Sequence, residues 1–83
     1  MALDQMELET MTLKELGKVS EGLVAQRDAN RADRLMLAEV RNAKVRAATA
    51  LAREYGDYGT AGKFGHNPAK QKELLAEIAR LEG

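Results

Sequence analysis

The segment with the richest chemistry is GDYGTAGKFGHNP, residues 56–68, whose glycines recur at every third position. It resembles a phosphate-binding loop because it contains a Gly-Lys pair. Such a loop requires G-x-x-x-x-G-K followed by Ser or Thr, after a strand and before a helix. Here Phe64 stands where the magnesium-binding hydroxyl should be, the first glycine is out of register, and a predicted helix precedes the loop. We therefore do not expect this segment to bind a nucleotide.

The other reactive side chains do not form a catalytic group in the sequence. Asp57 and His66 flank the glycines, but the chain has no cysteine and its one serine, Ser20, falls in a predicted helix. A nucleophile with a base and an orienting group is not visible, and one histidine without cysteine does not make a zinc site. We expect a non-enzymatic protein with no cofactor, no metal and no small-molecule substrate.

Three uses of the glycine segment remain open. Lys63, Phe64 and His66 could form a small nucleic-acid contact, since lysine meets phosphate and aromatic rings stack on bases. Tyr55, Tyr58 and Phe64 could instead anchor a protein partner. The same rings could also fold back over the apolar ends of the helices, and the burial of Tyr58 and Phe64 distinguishes these uses.

The composition is typical of one small helical domain. The chain has 83 residues, is rich in Ala, Leu, Glu, Lys and Arg, and carries 13 basic and 13 acidic side chains. This balance argues against a general polyanion binder, and no run approaches the about 18 apolar residues of a membrane span. We expect a cytoplasmic protein of a bacterium or phage. Because so small a core is marginal alone, oligomerisation or docking on a partner is expected.

The first clear helix signal lies at Thr12. Thr12 and Glu15 form a capping box, and Met11 and Leu16 are placed for a hydrophobic staple, which predicts a helix from about residue 13. The residues before it, 1–11, are predicted as a short helix or an extended arm that orders on a partner.

Residues 25–34 contain no large apolar side chain, and two interpretations follow. If the helix is unbroken, it presents two opposite apolar faces to two different partners. If it breaks near residues 28–30, with Asn30 or Asp33 as the new N-cap, the two faces share one core in a hairpin. The first face comprises Leu13, Leu16, Val19, Leu23 and Val24, and the second comprises Ala25, Ala29, Ala32, Met36, Val40, Ala43, Ala47 and Leu51.

The helix that continues to Tyr55 is apolar on more than one side, which indicates burial on more than one side. We expect Leu35, Leu37 and Val45 to contact another subunit or a partner, within an interaction region that spans residues 12–55. The opposite face carries basic residues that are either solvated or a stripe for an acidic partner or a DNA backbone, to which Lys63 could add. These basic residues are Arg27, Arg31, Arg34 and Arg41.

The C-terminal part is predicted as a joint followed by a short helix. Gly56 is expected to end the long helix as a C′ glycine, and residues 56–67 form the joint. Asn67 caps a last helix over residues 68–82, with Pro68 at its first position. The chain is thus all-α: a small helical hairpin or bundle with a long central helix. Its predicted core comprises Leu16, Val19, Leu23, Met36, Val40, Leu51, Leu74, Leu75, Ile78 and Leu81.

Residues 12–56 resemble the N-terminal oligomerisation region of the histone-like nucleoid-structuring family. The likeness is carried by the TLKEL opening at Thr12, by Leu23, by the arginine-rich patch and by the helix around LAEVR. The resemblance implies a dimerising set of helices in a protein that oligomerises along AT-rich DNA. The family's C-terminal DNA-binding domain, with its Gly-Arg core and tryptophan, has no counterpart here. The resemblance then implies a shortened relative that co-assembles with full-length members and modulates them.

The sequence as a whole favours a helical protein-interaction module that oligomerises or modulates a larger assembly, with nucleoid association as one form. Its partner would be a second copy, in a homodimer, or another protein, in a hetero-complex. Two alternatives remain: a small phage-type inhibitor that binds a host protein machine, and a helical subunit or assembly factor of a larger complex.

Overall fold

The computed structural model describes residues 3–26 and 30–83 and places them in four helices. Helix α1 covers Gln5–Glu9, α2 covers Leu13–Ala25, α3 covers Arg31–Asp57 and α4 covers Pro68–Glu82. No strand occurs among the described residues. The predicted all-α fold, with a long central helix and a short C-terminal helix, is confirmed.

Local capping sets the starts of α2 and α3. The Thr12 hydroxyl accepts from the Glu15 N–H, and the Glu15 carboxylate accepts from the Thr12 N–H, both at 3.2 Å, so the predicted capping box is confirmed. The Asn30 side chain accepts from the Ala32 N–H at 2.9 Å and begins α3. Helix α2 ends at Ala25 and α3 begins at Arg31, so two separate helices stand where one unbroken helix was considered. Arg27, predicted as part of the basic stripe, lies outside the described residues.

The core forms where α1, α2 and α3 meet. The α2 and α3 helices pack together, as the hairpin interpretation requires, and the first predicted face supplies Leu16 and Leu23. The second predicted face is largely wrong: Val40 is buried, but Ala32, Ala43 and Ala47 are exposed, because the core-facing side of α3 runs through Leu37 and Ala48 instead. Val19 and Met36 pack against the cluster from its edge. The buried cluster comprises Leu8, Leu16, Leu23, Leu37 and Val40.

Of the two forms predicted for the N-terminal segment, the short helix is present as α1, and it packs on the protein's own core. Leu8 is only 2% exposed and lies in the core. The Leu3 N–H donates to the Asp33 carboxylate at 3.3 Å, which ties the start of the described chain to the first turn of α3. Asp33, considered as an N-cap for α3, instead lies in the first turn of that helix, and its side chain is buried.

Helix α4 runs antiparallel to α3. The Gln71 side chain donates to the Tyr55 carbonyl at 3.2 Å near one end of the pair, while Ile78 lies beside Val45 nearer the other. Leu74 is the buried centre of this contact. Only one narrow face of α4 therefore packs against α3. Side chains of α4 outside that face are more exposed to solvent.

The predicted core is correct in its centre and wrong at one position. Leu75 is 51% exposed, because it lies about 100° around α4 from the buried Leu74. Leu16, Leu23, Val40 and Leu74 are buried, and Val19, Met36, Leu51, Ile78 and Leu81 are half-buried.

The prediction that Gly56 ends the long helix is wrong. Helix α3 continues to Asp57, Tyr58 is its C-cap, and Gly56 has no positive φ. The helix ends later because the loop folds back onto it: the Phe64 N–H donates to the Asp57 carbonyl at 2.9 Å.

The glycines recur every third residue because the loop is a series of consecutive turns, each joining one glycine to the next. The N–H groups of Gly59, Gly62 and Gly65 donate to the carbonyls of Gly56, Gly59 and Gly62 at 3.0, 3.0 and 3.2 Å. Gly62 leaves no room for a side chain, since a Cβ there would lie 2.5 Å from the Gly56 carbonyl oxygen and closer still to that of Asp57. Gly65 takes a left-handed φ of 77°. The loop is thus a compact cap on α3.

The start of α4 follows the predicted rules. Asn67 accepts from the Lys70 N–H at 3.1 Å, and Pro68 occupies the first turn, where a missing N–H costs nothing. Both predictions are confirmed.

Candidate interaction surface

One face of α3 is left open by the other described helices except at its edges, where Ala38 borders α2 and Val45 borders α4. Leu35 lies opposite the core-facing Leu37 and Val40, which are about 200° and 140° around the helix from it, whereas Val45 and Ala52 lie at the edge nearer α4. The members of this face are separated alternately by three and four residues, the spacing of a helix–helix seam. We call this the outer face of α3, and it comprises Leu35, Ala38, Asn42, Val45, Thr49 and Ala52, all exposed.

The outer face suits contact with another helix. Leu35 is 53% and Val45 is 49% exposed, so each has apolar area left to bury. Ala38 and Ala52 allow a second backbone to approach closely. The Thr49 hydroxyl donates to the Val45 carbonyl at 2.8 Å. A partner helix can therefore bury this hydroxyl without leaving its O–H group unpaired.

Two grooves flank the outer face and continue its apolar surface. The first, about 250 Å³, lies between α2 and α3 and is lined by Leu23, Val24, Leu37 and Ala38 together with two arginines. The second, about 310 Å³, lies between α3 and α4 and includes Val45, Thr49, Ala52 and Ile78. Because these grooves share residues with the outer face, the three form one surface along α3.

Of the apolar residues predicted to contact a partner, Leu35 and Val45 lie on this surface. Leu37 does not: it is 4% exposed and belongs to the core cluster. The reason is geometric, since two residues along a helix correspond to about 200° around it. The prediction that Leu37 is available to a partner is wrong.

The structure brings only part of the predicted basic stripe together. Arg34 and Arg41 line the first groove, and Arg31 is exposed one turn before Leu35. Lys63 lies in the loop beyond the other end of α3, roughly 35 Å along the helix from Arg34. Its ammonium sits 5.5 Å from the centre of the Phe64 ring. Lys63 therefore cannot share one short contact with the arginines.

The aromatic side chains divide between two of the predicted uses, covering the end of a helix and presenting a ring to a partner. Tyr55 and Tyr58 are half-buried at the end of α3, where they cover the helix terminus. Phe64 packs on Tyr58 with ring centroids 5.2 Å apart, yet it remains 57% exposed. Phe64 thus both covers Tyr58 and presents a ring to solvent, away from the outer face.

The groups considered for catalysis are not brought together. His66 is exposed in the loop, Asp57 ends α3, and Ser20 lines the first groove on α2. Within residues 3–26 and 30–83, no three His, Asp or Glu side chains are placed to hold a metal ion. In the same part of the chain, no helix has the length and apolar character needed to cross a membrane.

Several members of the surface were missed by the sequence reasoning. Ala38, Asn42, Thr49 and Ala52 are small or polar, so they did not stand out as partner contacts. Their spacing with Leu35 and Val45 is nevertheless readable in the sequence. Val24, placed on a core face, is 80% exposed and lines the first groove.

Comparison with protein-family models, curated proteins and solved structures finds no match to this chain. Function must therefore be inferred from its own residues.

Proposed function

We propose that this protein is a non-enzymatic helical protein-interaction module that oligomerises through the outer face of α3. The observation that carries the proposal is the exposed three-four spacing from Leu35 to Ala52, centred on Val45. Small monomeric proteins have no need of a second apolar face on their longest helix, whereas an oligomer buries it.

The apolar area that remains open on the outer face can stabilise a complex. Full burial of a Leu or Val side chain contributes about 1.5–3 kcal/mol, and about half of Leu35 and of Val45 is still exposed. Each would contribute about 1 kcal/mol, and a symmetric pair contains each twice, so together they supply about 4 kcal/mol. Contacts of the alanines and the flanking grooves add to this, and together they must offset the translational and rotational freedom that association removes.

Self-association is tested by sedimentation velocity across micromolar concentrations. Leu35→Glu and Val45→Glu should each weaken it at least about tenfold, because each removes two apolar contacts and buries two carboxylates. The matched control is Met6→Glu, which makes the same kind of change at a side chain 76% exposed on α1. Equal loss of association in the control would contradict a role for the outer face.

The first groove favours a second candidate function, an inhibitor or assembly factor that binds another protein. Val24 is 80% exposed there and is flanked by Arg34 and Arg41, a combination that fits an acidic amphipathic helix. Capture of a specific host protein by the wild-type chain, lost in Arg34→Glu/Arg41→Glu but kept in Leu35→Glu, would support this candidate. Recovery of the chain alone would leave self-association as the function.

The family resemblance suggests that the oligomer associates with nucleoid DNA. The support for this association in the chain is the set Arg31, Arg34 and Arg41. Fluorescence anisotropy with duplex DNA at low salt tests it, since contacts to phosphates give an affinity that falls steeply as salt rises. Absence of binding at low salt would remove DNA from the proposal without affecting self-association.

A further inference from the structure

We infer that the occupant of the outer face is a second copy of this chain, antiparallel, with Glu39 of each copy against Arg46 of the other. This inference rests on the proposed self-association and adds its orientation and register. It is argued from the residues on the seam and the charges beside it.

The seam has the heptad positions of a coiled coil. Leu35, Asn42 and Thr49 occupy a positions, and Ala38, Val45 and Ala52 occupy d positions. The charged residues beside the seam lie at the flanking e and g positions, where they meet a partner helix. Glu39, Arg46 and Arg53 are at e, and Arg34 and Arg41 are at g.

Antiparallel pairing matches large residues with small ones. With the two-fold axis between residues 43 and 44, Leu35 meets Ala52 of the second copy, and Val45 meets Asn42 of the second copy. Ala38 meets Thr49. Parallel pairing would instead stack Leu35 on Leu35 and Ala38 on Ala38, which leaves crowded layers next to empty ones.

The charges separate the two orientations. In an antiparallel pair e positions face e positions, so Glu39 meets Arg46 twice. Arg41 has no like-charge counterpart, because the g position opposite it is Ala48, which is buried within its own chain. In a parallel pair g faces the following e position. Arg34 would then attract Glu39, but Arg41 would repel Arg46, and the two effects would cancel.

The same charges fix the register. Sliding the antiparallel pair by one heptad toward the N-terminus places Glu39 against Glu39 of the second copy. Sliding it by one heptad the other way places Arg46 against Arg46. The register centred between residues 43 and 44 brings Glu39 and Arg46 together without any like-charge contact at the e positions. The register one heptad toward the C-terminus also pairs Glu39 with Arg53, but at the cost of the Arg46–Arg46 contact, so like charges disfavour both neighbouring registers.

The substitution Arg46→Glu gives opposite results in the two orientations. In the antiparallel pair it sets carboxylate against carboxylate at both Glu39 contacts, and the dimer should weaken about tenfold. In a parallel pair it would relieve the Arg41 repulsion and tighten the dimer. The double change Glu39→Arg/Arg46→Glu should restore wild-type affinity. Arg53→Glu is the control, because residue 53 faces the uncharged Ala32 of the other copy in the antiparallel pair. The dimer affinity of this variant should equal that of the wild type.

A distance measurement supplies an independent reading of orientation. The chain has no cysteine, so a spin label on Arg53→Cys is unique. Antiparallel pairing separates the two labels by about 28 Å along the helix axis, at 1.5 Å per residue. Parallel pairing places them at the same height, separated only by the roughly 8–10 Å between helix axes and the length of the labels.

The outcomes distinguish this inference from the function on which it rests. A dimer that Leu35→Glu disrupts but Arg46→Glu tightens, or one with closely spaced labels, would overturn the antiparallel pairing and leave oligomerisation in place. A wild-type chain that stays monomeric at tens of micromolar would overturn self-association itself. Weakening by Arg46→Glu, restoration by the double variant and distant labels together support the inference.

Discussion

Replacing Gly62 by alanine tests the account of the glycine loop. A Cβ at this position would lie 2.5 Å from the Gly56 carbonyl oxygen and closer still to the Asp57 carbonyl. Both neighbours are backbone atoms of the last turn of α3, so no flexible side chain can move aside. The loop must shift, and the turn bonds from Gly59 and Gly62 and the Phe64 bond to Asp57 must lengthen.

The magnitude follows from the rigidity of that contact. Overpacking costs typically about 1–3 kcal/mol, and a backbone clash belongs at the upper end. In a domain of this size, about 3 kcal/mol corresponds to a fall in Tm of roughly 12–24 °C. Gly56→Ala is the matched control, since its added Cβ meets nothing within 4 Å and the residue is helical. That variant should gain about 1 kcal/mol from helix propensity.

Thermal unfolding followed by circular dichroism measures both variants. Protein concentration must be equal throughout, because any association of the folded chain also raises Tm. A Gly62→Ala protein that melts with the wild type would show that the loop does not rest on α3 as described. A loss of stability in Gly56→Ala as large as in Gly62→Ala would refute the distinction between the two glycines.

The remaining predictions concern the core, a cap and the proposed interface. Leu16→Ala should cost about 2–5 kcal/mol in urea unfolding, because Leu16 is fully buried in the α1–α2–α3 cluster; a cost below about 1 kcal/mol would contradict that core. Asn67→Ala should cost about 1 kcal/mol, since the N-cap bond to the Lys70 N–H is lost, and no change in the urea midpoint would show that the cap is not needed. Leu35→Glu should weaken association while leaving the helical circular dichroism unchanged, and loss of helicity would mean that it acts on the fold instead. Arg46→Glu should weaken the same association about tenfold, and a tighter dimer would reverse the orientation proposed above.

Helix starts could be predicted from the sequence because each depends on a few adjacent residues. Thr12 with Glu15, and Asn67 with Pro68, satisfy backbone groups within the same turn. No knowledge of the rest of the fold is required. The end of α3 is different, because Asp57 is capped by Phe64 and crowded by Gly62 from the folded-back loop. A C′ glycine rule applied to Gly56 cannot detect those contacts.

The buried side of each helix is set by the other helices that pack against it. The sequence of one helix does not show which helices those are. Leu37 and Leu35 are both apolar on α3, yet only Leu37 turns toward α2 and is buried. Leu74 and Leu75 differ in the same way on α4. Periodicity identifies an apolar face relative to its own helix, but the packing of α1, α2 and α4 decides which residues remain exposed.

Part of the candidate surface could also be predicted. The excess of apolar residues on α3 correctly pointed to Leu35 and Val45 as exposed. Asn42 and Thr49 were not recognised, because polar side chains lower the apparent hydrophobicity of a seam. Their three-four spacing carries the signal instead, and it is informative only once the outer face is known to be open.

The molar mass of the wild-type chain in solution shows whether the protein oligomerises through the outer face of α3. Light scattering from micromolar to tens of micromolar concentration should show the mass of the wild type and of Met6→Glu rising toward twice that of one chain, while Leu35→Glu stays close to the mass of one chain at the concentrations where the wild type has risen. A wild-type protein that is folded yet has the mass of a single chain throughout that range would contradict oligomerisation through the outer face of α3.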